Sequence, residues 1–98
     1  MQQENQQMSV KIISYDLRKP ETSEDYKLLI AEIKSLGEWA KPMESYWLVD
    51  TTYTPKTIYE RLDPYLDNND KLLVASTPLT AWWSTGLSKA VVDWIHSH

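Results

Sequence analysis

A short apolar segment, Val10 to Tyr15, places the tightest constraint on the fold of this 98-residue chain. Successive side chains of a strand point to opposite faces, so Val10 and Ile12 share one face while Ile13 and Tyr15 share the other. Because both faces are largely apolar, the segment predicts a central strand rather than an edge strand. Asp16 follows at once, so this strand would deliver a carboxylate to its carboxyl end.

The segment from Thr22 to Leu36 predicts the first helix. Its apolar residues recur at intervals of three, four and seven positions, which gives one apolar stripe along a helix. Thr22 is predicted to cap the helix, with Asp25 three positions later as in a capping box. Gly37 stands where a left-handed residue commonly ends a helix.

Residues 38–52 predict a β-hairpin. The first arm is short, at 38–41, and the second arm covers 44–51, where Tyr, Trp, Leu and Val favour a strand. Pro42 and the next residue or two are predicted to make the turn between the arms.

The second half of the chain predicts a helix, a strand and a further helix. Thr54 and Pro55 suit the cap and the first position of the second helix. Pro64 then predicts a kink or a second short helical turn. Residues 72–76, with the sequence LLVAS, predict a buried strand, and the apolar spacing over 87–95 predicts a third amphipathic helix.

The predicted order is therefore βαββαβ followed by a C-terminal helix. This order indicates an α+β, ferredoxin-like sandwich, in which a four-stranded antiparallel sheet carries two helices on one face. We expect residues 1–8 to be a disordered tail and 9–98 to be a single domain, with a C-terminal helical extension over about 80–98. The second face of the sheet would need cover from the third helix or from a second subunit.

Composition restricts the classes of function. The net charge of −4 argues against nonspecific binding of nucleic acid, which needs a positive field. The chain has no cysteine, which excludes disulfides and thiolate metal sites. No apolar run approaches the roughly 20 residues that span a bilayer, and the first residues lack the features of a signal peptide. We therefore expect a cytoplasmic protein that does not contact a membrane.

Three segments carry a resemblance to a known group of proteins: KIISYDLRKP, LGEWAKPMESYWLVDT and DPYLDNNDKLLVAS. Over about residues 10–76 the chain resembles small bacterial and phage proteins labelled SinR-like. That group is similar to the virulence-associated protein D toxins and to the small subunit of the CRISPR spacer-acquisition complex. The resemblance implies a ferredoxin-like fold, a homodimer and, as in some relatives, a metal-dependent endoribonuclease with a role as a toxin or in defence against phage.

The resemblance assigns the central role to Asp16. It implies that Asp16 of each subunit meets its twin near the dimer axis, where the pair holds a divalent cation such as Mg²⁺ and serves catalysis. Two carboxylates that repel each other would favour such a cation. The alternative is that Asp16 only ends the strand and caps the following loop. Arg18 and Lys19 could contact a phosphate of RNA, or they could be a solvated loop pair.

The tryptophans predict a second class of function. Adjacent residues of an extended chain point in opposite directions, so either Trp82 or Trp83 could be exposed to bind a protein partner. Packing in the core or in an interface is the alternative for all five tryptophans. On this second hypothesis the protein is a non-catalytic interaction subunit or regulator, which uses its sheet face and the Trp-rich C-terminal segment.

Overall fold

The computed structural model describes residues 9–98, so the predicted disordered tail lies outside the described residues. The regular structure of these residues consists of strands and short helices, with two single turns of 3₁₀ helix at Glu24–Tyr26 and Asp63–Tyr65. They are β1 (Ser9–Asp16), α1 (Lys27–Lys34), β2 (Glu38–Met43), β3 (Tyr46–Thr51), α2 (Pro55–Leu62), β4 (Lys71–Thr77) and α3 (Lys89–His96).

The four strands form one antiparallel sheet in the order β2-β3-β1-β4. Strand β1 is central, as its two apolar faces predict, and its residue Ile12 lies between Leu48 of β3 and Ala75 of β4. The α+β class, the four-stranded antiparallel sheet and the C-terminal helix are confirmed. The assignment to the ferredoxin-like fold stays a prediction.

The larger core lies between one face of the sheet and the helices α1 and α2. Ile13 and Tyr15 of β1 and Trp47 and Val49 of β3 point to this side because they alternate with residues of the opposite face. The helices meet them with side chains spaced three and four positions apart, as an amphipathic helix requires. These helical core residues are Leu29, Ile33, Ile58 and Leu62, with Tyr26 and Leu36 at the ends of the first helical segment.

The third helix covers part of the opposite face of the sheet. Ile95 of α3 packs with Val10 and Leu48, and half-buried residues from the 79–87 segment surround them. The sequence left open whether the third helix or a second subunit covers this face. The third helix covers the part around Val10 and Leu48. The remaining part stays exposed: Leu73 of β4 is 64% accessible and Met43 of β2 is 52% accessible.

The first helix is shorter than predicted and begins differently. The amide of Ser23 donates to the carbonyl of Pro20 at 2.9 Å, so Thr22 lies inside a turn and does not cap a helix. The side chain of Ser23 caps instead, because its hydroxyl accepts a hydrogen bond from the amide of Asp25 at 3.2 Å. A turn of 3₁₀ helix then precedes α1.

Gly37 is not the left-handed residue that the sequence predicts. Gly86 is the only glycine within residues 9–98 with a positive φ angle, at 78°. Gly37 is required for space, because a Cβ atom there would collide with the carbonyl oxygen of Asp50 in β3. The chain leaves α1 and enters the edge strand β2 directly over that carbonyl group.

The predicted turn of the hairpin is also wrong. Pro42 lies within β2, where the pairing with β3 shifts register between Ala40 and Met43. An edge strand tolerates proline at such an irregularity because the outer N–H groups need no partner strand. Ser45 makes the turn instead, with a positive φ of 62°.

The second helix forms as predicted. The hydroxyl of Thr54 accepts a hydrogen bond from the amide of Thr57, and Pro55 occupies the first turn of α2. The 3₁₀ turn around Pro64 is the short second turn that the sequence indicates. No helix within residues 9–98 is both long enough and apolar enough to cross a membrane.

Candidate functional site

Asp16 is the last residue of β1 and is exposed to solvent. Its neighbour across the sheet is Lys71, the first residue of β4, and the two side chains point to the same face as Ser14 and Leu73. A shallow cavity of about 220 Å³ lies here, lined by residues 14–16 and 71–73. Within the part of the chain that the structure describes, the carboxylate of Asp16 forms no salt bridge.

The loop after β1 is held by other carboxylates. The backbone amide of Arg18 donates to a side-chain oxygen of Asp70 at 2.9 Å, and that same oxygen accepts a hydrogen bond from the hydroxyl of Tyr26. Asp70 therefore links the loop before β4 to the loop after β1. Within its own loop, its other carboxylate oxygen accepts from the amide of Asp67. These hydrogen bonds hold the loop after β1 through Asp70 and do not involve the carboxylate of Asp16.

Arg18 and Lys19 form ion pairs within the protein. The guanidinium of Arg18 binds Asp67 and lies 3.6 Å from Asp25, and the ammonium of Lys19 binds Asp25. The hydrogen bond to Asp67 raises the pKa of Arg18, and the hydrogen bond from Lys19 lowers the pKa of Asp25. The positive charges of both residues are thus already shared with acidic neighbours, and a role for them in binding RNA stays a prediction.

A single copy of the chain supplies few ligands for a metal ion. Among the described residues, no group of three or more acidic or histidine side chains is placed to hold one. Mg²⁺ is usually held by one or two carboxylates, with water and phosphate oxygens completing its shell. The exposed carboxylate of Asp16 fits half of such a set, and the other half would have to come from a second copy.

The two adjacent tryptophans differ in burial. Trp82 is half-buried, packs against the core beneath α3 and lies 5.2 Å from the ring of His96. Trp83 is 99% accessible. Of the two residues, Trp83 is therefore the exposed one, and both tryptophans border a cavity that His96 also lines.

Sequence reasoning missed the residues that surround Asp16. Lys71 and Leu73 lie beside it only because β4 pairs with β1 in this register. Residues 17–70 separate the two strands in the chain, and no local pattern fixes which residues face each other. The signal that was present is the alternation within the predicted strand at 72–76, which places Leu73 and Ala75 on one face.

Comparison with known proteins adds no assignment to this geometry. No family model matches the sequence, and no curated protein or solved structure matches it either. The resemblance to the SinR-labelled proteins and their relatives therefore stays a prediction.

Proposed function

We propose that this protein forms a homodimer that cleaves RNA, with a divalent cation held by Asp16 from both copies. The observation that carries the proposal is the position of the Asp16 carboxylate. It is exposed, it forms no salt bridge within residues 9–98, and it lies on the sheet face that α3 leaves partly uncovered. A carboxylate in that position can meet a second copy without breaking a contact of its own chain.

Apolar side chains beside Asp16 support the dimer. Leu73 lies two residues from the partner of Asp16 in β4 and points to the same face, with 64% of its surface accessible. Met43 stands opposite Tyr46 at the other side of this face and is also exposed. A second copy that packs on these side chains would bury apolar area and would bring the two Asp16 carboxylates toward each other.

The chemistry of the paired site follows from its charges. A bound divalent cation would supply charge stabilisation on the phosphate or an activated water molecule. Asp16 would hold that cation through its carboxylate oxygens. Lys71, which pairs with Asp16 on the neighbouring strand, would place an ammonium group beside the same phosphate. RNA is favoured as the substrate by the resemblance to proteins of which some are endoribonucleases, and that resemblance covers about residues 10–76.

The first experiment measures cleavage of single-stranded and structured RNA by the purified protein, with Mg²⁺, with Mn²⁺ and with a chelator. We expect cleavage that needs the cation and is lost in Asp16→Asn. The matched control is Asp63→Asn, because Asp63 is also exposed but lies in the helical turn after α2. Cleavage that persists in Asp16→Asn, or that survives the chelator, contradicts the proposal.

The second experiment tests the dimer by light scattering. The wild type should have the mass of a dimer at micromolar concentration, and Leu73→Glu should be a monomer because it places a charge in the proposed interface. Leu28→Glu is the control, since Leu28 on α1 is equally exposed but lies on the other side of the sheet. A wild-type monomer at this concentration removes the paired site.

The exposure of Trp83 favours a second candidate, a non-catalytic subunit that binds a protein. A fully exposed indole is costly in water and is a common anchor of protein interfaces. Capture from lysate of the native host, with wild-type, Trp83→Ala and Asp16→Asn baits, separates the two candidates. A partner retained by Asp16→Asn and lost by Trp83→Ala supports the interaction subunit. Equal capture by all three baits contradicts it.

A further inference from the structure

A second pocket lies between α1 and the edge strand β2, on the opposite side of the sheet from Asp16. Its volume is about 530 Å³. Lys27, Ala31 and Lys34 line it because they are three to four residues apart and share one face of α1. Trp39 and Lys41 line the other wall because alternate residues of β2 share one face.

The wall at Trp39 offers a rigid aromatic surface. Its ring lies 5.1 Å from the ring of the buried Trp47, edge to face, so the neighbouring indole fixes its orientation. Trp39 nevertheless keeps 39% of its surface accessible. An indole held on one side and open on another can stack a planar ligand without a large loss of side-chain entropy.

The positive charge available to a ligand lies on the α1 side of the pocket. The ammonium of Lys34 lies over the face of the Trp39 ring, 5.3 Å from its centre, so a base that stacks on this face must displace the ammonium toward the phosphate of the ligand. Lys34 forms no salt bridge with any residue from 9 to 98 that would oppose this movement. Lys27 lies 3.8 Å from Glu24, and both side chains are largely exposed, so this ion pair is weak and easily exchanged. One ligand can therefore touch the indole of Trp39 and these two ammonium groups together.

A hydrogen-bond network occupies the other end of the pocket. The indole N–H of Trp47 donates to the hydroxyl of Tyr15 at 2.8 Å, and that hydroxyl donates to Glu21 at 2.6 Å. Glu21 also binds the ammonium of Lys41. Burial opposes the charge of Glu21, but the hydrogen bonds from Lys41 and Tyr15 outweigh it and lower its pKa. The carboxylate therefore stays ionised, cancels the charge of Lys41 and repels an anion from this end.

We propose that this pocket binds one free nucleotide, with the base stacked on Trp39 and the phosphate between Lys27 and Lys34. The volume lies in the usual range for small-molecule sites. A neutral sugar would leave both ammonium groups unused, whereas a nucleotide uses the ring and the charge together. A long RNA strand would have to pass Glu21 or Glu24, because both carboxylates border the pocket. The inference is independent of the proposed nuclease, since Asp16 lies on the other face.

Calorimetric titration with the four nucleoside monophosphates, adenosine, inorganic phosphate and a six-residue oligoadenylate tests the proposal. We expect saturable binding of at least one monophosphate, and adenosine and phosphate should each bind about tenfold more weakly or worse. Tighter binding of the oligoadenylate than of every monophosphate would overturn the assignment to a free nucleotide, as would the absence of monophosphate binding.

Variants then locate the site. Trp39→Ala and Lys34→Gln should each weaken binding about tenfold, because one removes the stacking surface and the other a phosphate contact. The controls are Trp83→Ala and Lys56→Gln, which remove an exposed indole and an exposed ammonium elsewhere. In NMR spectra the indole N–H signal of Trp39 should shift with added nucleotide while that of Trp83 should not. Equal affinity in Lys34→Gln and wild type, with the fold shown intact by circular dichroism, overturns the proposal.

A variant of Asp16 separates this inference from the proposed nuclease. Asp16→Asn should bind the nucleotide with unchanged affinity, whether or not the wild type cleaves RNA. A tenfold loss of affinity in Asp16→Asn would place the nucleotide at the other site and would overturn the assignment to the Trp39 pocket.

Discussion

The Nε2 atom of His98 lies 2.8 Å from a carboxylate oxygen of Glu38, and this contact ties the end of α3 to the edge strand β2. The other ring nitrogen, Nδ1, lies 2.7 Å from the carbonyl oxygen of Trp94. Both partners are acceptors, and only the protonated imidazole has two N–H groups to give them. Burial alone would lower the pKa of His98, but the contacts with Glu38, Trp94 and the nearby Asp50 outweigh it and raise that pKa.

The first prediction is a pH dependence of the attachment of α3. A histidine with a raised pKa in the folded state stabilises the fold fully below its ordinary pKa, near 6.5, and the contribution is lost as the pH rises through the folded-state value. At about pH 6, the free energy of unfolding of the wild type should exceed that of His98→Gln by about 0.5–1 kcal/mol. The difference stays small because Glu38 is largely exposed and solvent screens the ion pair. Urea unfolding of both proteins at about pH 6 and about pH 8 measures the difference.

Two further variants control this measurement. Glu38→Gln should remove most of the pH-dependent difference, since it removes the carboxylate nearest to His98. His96→Gln should leave the difference in place, because the ring of His96 packs on Trp82 and contacts no carboxylate among the described residues. If the pH dependence is lost in His96→Gln and kept in Glu38→Gln, the ion pair between His98 and Glu38 is not its cause.

The second prediction concerns the hydroxyl of Tyr15. Tyr15→Phe leaves the buried indole N–H of Trp47 without an acceptor and removes a donor from Glu21. An unpaired buried polar group costs about 1–3 kcal/mol, so the free energy of unfolding should fall by that amount. Tyr59→Phe is the control, as Tyr59 is exposed on α2 and should change stability by less than about 0.5 kcal/mol. Chemical denaturation measures both, and equal losses would contradict the role of the network.

The sequence predicts the parts of this fold that depend on neighbouring residues. Strand β1 is central because both of its faces are largely apolar. The sequence shows this directly, since successive residues of a strand point to opposite faces. The start of α2 follows from Thr54 and Pro55, where the cap and the fixed φ angle act within one turn of helix. In each case the physical cause acts within a few residues along the chain.

Contacts between distant segments are the part of the structure that the sequence does not specify. Gly37 has the local signature of a helix end, yet its small size is required by the carbonyl of Asp50 in another strand. Lys71 stands beside Asp16 through pairing of β4 with β1, which no short pattern specifies. The same limit applies to Arg18, whose acidic partner Asp67 lies in the loop before β4. Asp16 itself could be selected from the sequence, but its surroundings could not.

The third prediction is that Gly37 and Gly86 are each required for a different physical reason. Gly37→Ala should destabilise the protein by about 2–3 kcal/mol, because the added methyl group forces β2 away from the carbonyl of Asp50. Gly86→Ala should cost about 1 kcal/mol, since its φ of 78° is strained for alanine but the space around it is open. Urea unfolding gives the two energies, and the amide NMR signals of β3 should move in the first variant only. A larger loss in Gly86→Ala would contradict this assignment.

The fourth prediction uses the adjacent tryptophans. Trp82 packs with the core beneath α3, so Trp82→Ala should lower the free energy of unfolding by about 2–3 kcal/mol, somewhat less than for a fully buried tryptophan. Trp83→Ala removes a side chain that is 99% accessible, and the change should stay within about 0.5 kcal/mol. Thermal and urea unfolding measure both values. If Trp83→Ala is as stable as the wild type, any loss of partner binding in that variant is caused by the missing indole and not by unfolding. A loss of stability equal to that of Trp82→Ala would instead mean that Trp83 packs against the protein.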